Sequence, residues 1–500
     1  MKTKFGFIDR LRTEMTDFSP AWSLGLFRFG LGILCTSISL RYLLNDWVGK
    51  FFLEPEFHFK YFGFSWVEVL PAWLLYPFFW ILSIAGLGIC LGILYRLCVT
   101  IYFLGFVYFN LIDSALYLNH SYLLGLVLWI MIWLPADRCL SVGHFLEAYR
   151  TGRWPNPKIR NWNLWLLRFQ FACVYFFGGI AKIESDWLVR AQPLKIWLAR
   201  DTDFPVIGKF FATPIAGYIF GYAGLLFDLV VPFLLLKPKL RSWMFSFVVL
   251  FQILIWELFP VGIFPWIMIW GSALFLSAYW PLSLRNFLKR RGIFPYGEFR
   301  NLFRTVWQKL PVRFRFDSAQ IILHLLTRIE GLGRWGKSAG TRLSGLRSSR
   351  IVNLGPYVLG VYLVAQILLP LRHRFYPGNV LWTEQGSRFS WQTMLSQKNA
   401  ITSFRVANLR TGEVRFVLAD SYLSERQKIP MSTNPDLILQ FSHYLGRVEK
   451  EKTGDEAAVY ADITVSLNGR KSKPFVNPTR DLMKAKETLF PQDWILPEER

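Results

Sequence analysis

A lysine near the end of a long apolar run is the residue of this chain whose type and place most readily do chemistry. In WNLWLLRFQFACVYFFGGIAKIESDW, from Trp162 to Trp187, Lys182 follows Arg168 and Tyr175 at intervals of seven. At about 100° per residue this spacing keeps the three near one helical stripe and spreads them over roughly 21 Å of depth. An ammonium in hydrocarbon is costly, so Lys182 either snorkels to the interface or sheds its proton. In the second case it is a general base competent near neutral pH. Gly178 and Gly179, just before it, would let a neighbouring helix or a flat ligand close on the backbone.

The elements that must position this lysine are membrane helices. With 53% hydrophobic, 18% aromatic and 18% charged residues, the chain departs from soluble-globular composition toward a polytopic membrane protein. Apolar runs predict about nine spans, near 21–44, 69–94, 97–117, 121–136, 162–184, 214–236, 243–259, 262–283 and 355–373. The net charge of +23 sits beside these runs, where it sets topology and meets anionic lipid rather than nucleic acid. Lys2, Lys4, Arg10 and Arg12 precede the first span, Arg138 to Arg160 follow the fourth, and Lys237, Lys239 and Arg241 follow the sixth. All are cytoplasmic if the N-terminus is, as is the basic linker 284–350; Arg190, Lys195 and Arg200 are the exception. The N-terminus lacks a compact apolar run with a cleavage site, so the first span is expected to be retained. Five cysteines without CxxC or Cys/His spacing give no expectation of a disulfide framework or a metal site.

The organisation expected is a transmembrane region 1–283, the linker 284–350, a last transmembrane helix 351–375 and an α+β domain 376–500. In that last part ITSFRVANL-RTGE-VRFVLA reads as one hairpin, and AVYADITVSL with Asn468-Gly469 before RKSKPFV as another with a type I′ turn. PDLILQFSHYLGRVEKEK between them has helical periodicity. Nine spans place this domain extracytoplasmic, in the periplasm or a lumen.

That topology gathers titratable groups on one face: Asn119-His120 in the turn between spans three and four, Lys182 ending span five, Glu257 near the end of span seven and His373 ending span nine. Asp113, Asp228, Arg28 and Arg168 lie deeper and are expected to be structural partners, as Asp/Arg pairs. No phosphate loop, G-x-S-x-G elbow or HExxH is present.

A set of ordered motifs then accumulates: Phe27-Arg28-Phe29, Tyr95-Arg96, Asn119-His120-Ser121-Tyr122 with Gly125, the Trp162–Trp187 stretch, Phe227-Asp228-Leu229, and Leu369, Pro370 and His373. It ends with W.E.G..FSW...L..K from Trp382 through Phe389-Ser390-Trp391 to Lys398, and with RTGE at 410–413. In these the chain resembles the vitamin K-dependent gamma-glutamyl carboxylases and their bacterial relatives carrying the horizontally transferred transmembrane (HTTM) domain.

The resemblance implies an enzyme that oxidises vitamin K hydroquinone, of menaquinol or phylloquinol type, with O2 to the epoxide and couples this to CO2 addition on a protein glutamate. It implies no metal. Lys182 matches the family's catalytic lysine, Asn119 and His120 a pair near the quinol, and His373 a further family histidine. Lysine cannot take a proton from a glutamate γ-carbon, so oxygenation must generate a far stronger alkoxide base in a dry site. Gly178, Gly179 and Tyr175 are expected to wall the quinol ring. Trp391, Ser390 and Arg480 are expected at the glutamyl substrate, with Arg480 offering a bidentate carboxylate contact. Three departures bear on the acceptor half: Ala181 replaces the family's second lysine, Gln252 stands for a family histidine, and GSRFSW lacks a family tyrosine. Quinol oxygenation with a different or no acceptor is therefore one alternative, and a membrane scaffold for the outer domain is another.

Overall fold

The computed structural model describes residues 13–153, 155–291 and 354–498. The basic N-terminal residues and most of the linker 284–350 lie outside them. The chain divides into two units. One comprises 1–278 and 368–500, and the other 279–367.

In the first unit the long helices are α1 (Trp22–Leu44), α2 (Ala72–Leu91), α3 (Tyr95–Ile112), α4 (Asn119–Trp133), α5 (Trp162–Ala181), α7 (Pro214–Leu235) and α8 (Arg241–Leu258), with the short α6 (Ser185–Arg190) after α5. At about 1.5 Å per residue, 18 to 23 residues of nearly unbroken apolar side chains cross most or all of a bilayer core. Among the described residues seven helices are long and apolar enough to cross, counting Tyr357–Phe375, or eight if α4 and the segment Ala136–Ala148, bent from it by 70°, form one span. The chain is a multi-pass membrane protein.

The expected span at 262–283 is corrected. Its helix α9 runs only from Phe264 to Ala273, about 15 Å. It has Pro265 in its first turn and gives way to turns at Leu274, and it packs inside the bundle, where Tyr175 of α5 bonds Ser272 and Arg168 bonds the Leu274 carbonyl. A helix held by its neighbours in this way need not reach from face to face.

The expected Asp/Arg pairs are absent among the described residues, because each buried charge meets another kind of partner. Arg28 is fully buried and donates to four backbone carbonyls: Ile89 and Cys90 where α2 ends, Ala136 at 3.1 Å and Leu140 at 2.6 Å. Helix ends leave carbonyls without amide partners, and a guanidinium with five donors satisfies several at once. Asp113 accepts from Gln427 at 2.7 Å and Ala115 N at 2.8 Å, and meets His58 at 3.3 Å.

The second unit holds α10 (Trp280–Arg290) and nearly all of α11 (Leu354–Leu368) among its described residues. The first is rich in Arg and Lys and the second almost wholly apolar.

The C-terminal part of the first unit is α+β. Its four-stranded antiparallel sheet has the order β2-β1-β3-β4, built from β1 (Lys398–Asn408), β2 (Val414–Val417), β3 (Ala457–Leu467) and β4 (Lys473–Pro474). Both expected hairpins form, with Val406 opposite Arg415 in one and Thr464 opposite Pro474 in the other. Asn468 and Gly469 both have positive φ, as a type I′ turn requires. The amphipathic helix α12 (Pro435–Thr453) lays Leu437, Phe441 and Leu445 on the sheet, with Phe441 edge-on to Phe404 at 5.0 Å. This core extends into the membrane-side segments through Phe59, Ala115, Trp187 and Leu194, so the two parts share one apolar interior.

A glycine sets the spacing between α5 and α7. A side chain added at Gly179 of α5 would stand 2.8 Å from Leu229 Cδ2 and 3.1 Å from the Leu229 backbone nitrogen of α7. Gly179→Val is therefore expected to push the two helices apart and to cost about 1–3 kcal/mol, read as a lower thermal midpoint of the detergent-solubilised protein.

Candidate functional site

Lys182 caps the C-terminus of α5. Helical side chains lean toward the N-terminus, and its ammonium folds back to the Gly178 carbonyl at 3.1 Å. The same nitrogen lies 2.6 Å from Asp228 Oδ2 on α7 and 5.5 Å over the Trp187 ring, with lysine and aspartate side chains only 12% and 15% exposed. Trp187 is held in turn by its indole N–H on the Gly221 carbonyl at 2.9 Å. The lysine is one half of an ion pair, and Gly178 and Gly179 face α7, a neighbouring helix of the kind expected for them.

The stripe of sevens also divides. Arg168 and Tyr175 bond α9 and the turn after it, at 2.9 Å and 3.0 Å, while Lys182 bonds α7. An ideal helix drifts by about 20° per heptad, and two heptads move the last residue toward a different neighbour. Beside Tyr175 stand Phe227, at 6.0 Å and edge-on, and Gln252, whose amide reaches the Tyr175 hydroxyl. Gln252 is 2% exposed and its Oε1 has no hydrogen-bond partner among the described residues.

Asn119 opens α4. Its two amide hydrogens go to the Gln392 carbonyl and to Thr393 Oγ1, both at 3.1 Å, and its oxygen accepts from Tyr117 at 3.0 Å. With both donors engaged by the protein, Asn119 holds the 389–393 segment. His120 differs. It is partly buried, its ring lies 3.8 Å from where a Gly262 side chain would begin, and no described residue hydrogen-bonds it.

The W.E.G..FSW...L..K motif is a clasp. Phe389, Trp391 and Met394 all have positive φ, each costly for a residue with a side chain. The loop is held at one end by Tyr122, against Phe389 at 4.8 Å and Trp391 at 5.0 Å. At the other end Lys398 donates to the Trp382 carbonyl at 2.7 Å and to Glu384 at 2.9 Å. Burial lowers the Lys398 pKa, and Glu384 opposes that shift. Trp391 is 1% exposed, packs on Tyr122 and lines neither of the two described cavities. Ser390 and His373 do share a cavity, of about 1070 Å³, with Ala181 also on its wall. His373 Nδ1 meets the Pro370 carbonyl at 2.9 Å. Arg480 is exposed, 3.3 Å from Asp493, and lines neither cavity, against the expectation that it binds substrate there.

The structure therefore joins Lys182 to Asp228, Asn119 to the clasp, and His373 to Ser390. Among the described residues there is no contact of Lys182 with His120 or His373. Sequence reasoning missed Asp186, buried on α6, which accepts from Asn468 at 2.8 Å and from Arg470 and so moors the hairpin turn of the outer domain. Its sequence signal was its place just before Trp187 in the helical stretch, which does not name a partner.

Comparison with known families, set against this geometry, gives two matches. The HTTM domain model matches residues 17–280, and the model for the lumenal domain of vitamin K-dependent gamma-carboxylase matches residues 352–500. The chain belongs to the vitamin K-dependent gamma-carboxylase family. No solved structure matches it. In this carboxylase-family chain the first match covers α1 to α9 and the Lys182–Asp228 pair. The second covers the clasp and the sheet.

Lys398→Met is expected to strand Glu384 and lower stability by about 3 kcal/mol, the low end for a broken buried pair because Glu384 keeps some solvent. Lys398→Met with Glu384→Gln should recover more than half of that loss, measured by thermal unfolding as a double-mutant cycle.

Proposed function

We propose that the protein is a quinol-dependent γ-carboxylase and epoxidase in which Lys182 and Asp228 act together as the base. The observation that carries this reading is their 2.6 Å contact inside the membrane helices, beneath the outer domain of a carboxylase-family chain. A bound vitamin K hydroquinone would supply oxidation by O2 to the epoxide, and with it the base strength needed to carboxylate a glutamate with CO2.

Two observations fit such a group. The Gln252 amide oxygen is buried without a donor, which a ring hydroxyl would provide. Gly224, one turn before Asp228 on α7, is buried, yet a side chain added there would meet no atom within 4 Å. There is room and an unmet acceptor close to the ion pair.

Lys182 Nζ can pass its proton to Asp228 Oδ2 across the existing hydrogen bond, and its freed lone pair would then be able to accept a proton from a ring hydroxyl held beside it. The pair holds one proton between two sites and has room for one more. His120, whose imidazole has no described partner, orients the hydroxyl. Tyr175 and Phe227 wall the ring. Asn119 acts at a remove, by holding the clasp. His373 and Ser390 lie together on the cavity beside the end of α5. The bilayer, the quinol and a glutamate-containing protein are its partners.

A second reading keeps quinol oxygenation without a glutamyl acceptor. It is favoured by Ala181, which stands on the cavity wall where the family has a lysine, and by Arg480 lying elsewhere.

In nanodiscs with a reduced menaquinone, Lys182→Ala is expected to lower the rate of epoxide formation by about 10²–10⁴-fold, with a smaller loss for Asp228→Asn. Incorporation of labelled CO2 into a glutamyl peptide separates the two enzyme readings. Unchanged quinol turnover in Lys182→Ala would overturn the lysine's role as base, and absence of quinol turnover in wild type would leave only the scaffold.

A further inference from the structure

The cavity of about 1070 Å³ beside the end of α5 has two chemically distinct tiers. Phe177, Ile180 and Ile183 line it from the last turn of α5 and just beyond, and Pro370 and Leu371 from the helical turn Leu369–Phe375. These are residues at the rim of membrane-spanning segments, and Ile183 is 58% exposed. The other tier is cationic: Arg190, Arg374, Arg470, Lys471 and Lys473 against Glu184 and Glu498, a formal excess of five less two, or three positive charges.

The excess is real once internal pairs are removed. Arg470 is committed to Asp186 and Glu498, and Arg190 lies 3.9 Å from Asp186. Arg374 and Lys471 have no ion-pair partner among the described residues. Burial raises the pKa of the Glu184 carboxyl, which weakens it as a counter-charge.

Three kinds of occupant can be compared. A neutral quinol would use the apolar tier and leave two cations unanswered. An acidic peptide would answer the cations and leave five apolar side chains against water. An amphiphile with an anionic head uses both, and cationic pockets at the ends of membrane helices suit phosphate head groups. Guanidinium and ammonium groups both hold phosphate oxygens well.

We propose that this cavity binds an anionic phospholipid, its phosphodiester held by Arg374 and Lys471 and its acyl chains lying over Phe177 and Ile180. The lipid reaches the cavity from the bilayer along the exposed flank of α5. Because Ser390 and His373 line the same walls, the bound lipid also fixes the position of the clasp over the membrane helices. This assignment does not rest on the hydroquinone reading.

The test is native mass spectrometry of the full chain in detergent, titrated separately with phosphatidylglycerol, phosphatidylcholine, inorganic phosphate and an oligoglutamate peptide. Wild type is expected to retain phosphatidylglycerol and none of the other three. Arg374→Glu with Lys471→Glu should weaken phosphatidylglycerol retention about 10- to 30-fold, the loss of two cationic contacts to an anionic head group. Lys484→Glu with Lys486→Glu, the same charge change on exposed residues outside the cavity, should leave it unchanged. If the glutamate pair does not fold, Arg374→Gln with Lys471→Gln replaces it. Equal phosphatidylglycerol retention in the cavity variant overturns the proposal. So does retention of inorganic phosphate to the same degree, which would mean a plain anion site, or of oligoglutamate in preference to lipid, which would mean a peptide site.

Discussion

An amine and a carboxylate each cost several kcal/mol to bury alone in a membrane-embedded helix bundle, and the contact between Lys182 and Asp228 removes most of that cost for both. Much else depends on it. The pair forms only if α5 and α7 touch, which Gly179 permits by leaving room for Leu229. It stays partly dry because Trp187 covers the lysine and is itself tied to α7 through the Gly221 carbonyl. A buried pair is weak evidence for stability, since apolar residues of similar size often do as well.

The outer domain is coupled to that helix end by polar contacts within a shared apolar core. Asp186, four residues beyond Lys182, receives Asn468 and Arg470 from the hairpin turn, and Asp113 receives Gln427 from a second point on the domain. Lys60 and Gln440 exchange backbone and side-chain hydrogen bonds at a third. A domain held at three such points transmits its position to α5, and a substrate presented by it would be placed relative to the ion pair rather than left to diffuse over the membrane surface.

Between these two parts runs the clasp, 382–398. Four non-glycine residues in left-handed conformations, Glu384, Phe389, Trp391 and Met394, persist there because Asn119, Tyr122 and Lys398 fix the loop from both sides. Strain of this kind is kept where the surroundings over-determine it, and such places cluster at functional sites. The clasp contributes Ser390 and Gln392 to one cavity, and Gln392 and Arg388 to the smaller one beside Asn119, so it is the wall that separates them.

The amino-acid sequence alone determined the class of the molecule and the position of most elements. Long apolar runs favour membrane helices, and alternating strands around Asn468-Gly469 favour a hairpin whose turn has two positive φ angles, because both are local consequences of solvation and backbone sterics. It also marked Lys182, His120 and His373, since a titratable group near hydrocarbon is conspicuous wherever it points. What it could not determine is partnership. Asp228 and Arg168 both read as charges in spans, yet one meets a lysine on another helix and the other a backbone carbonyl. Asn119 read as a ligand donor, and its two amide hydrogens go to the clasp. The run at 262–283 read as a span and is a ten-residue helix, because neighbours that satisfy it are invisible in its own residues. These matters are settled by contacts between residues tens to hundreds of positions apart, and only the packed tertiary structure brings them within hydrogen-bonding distance.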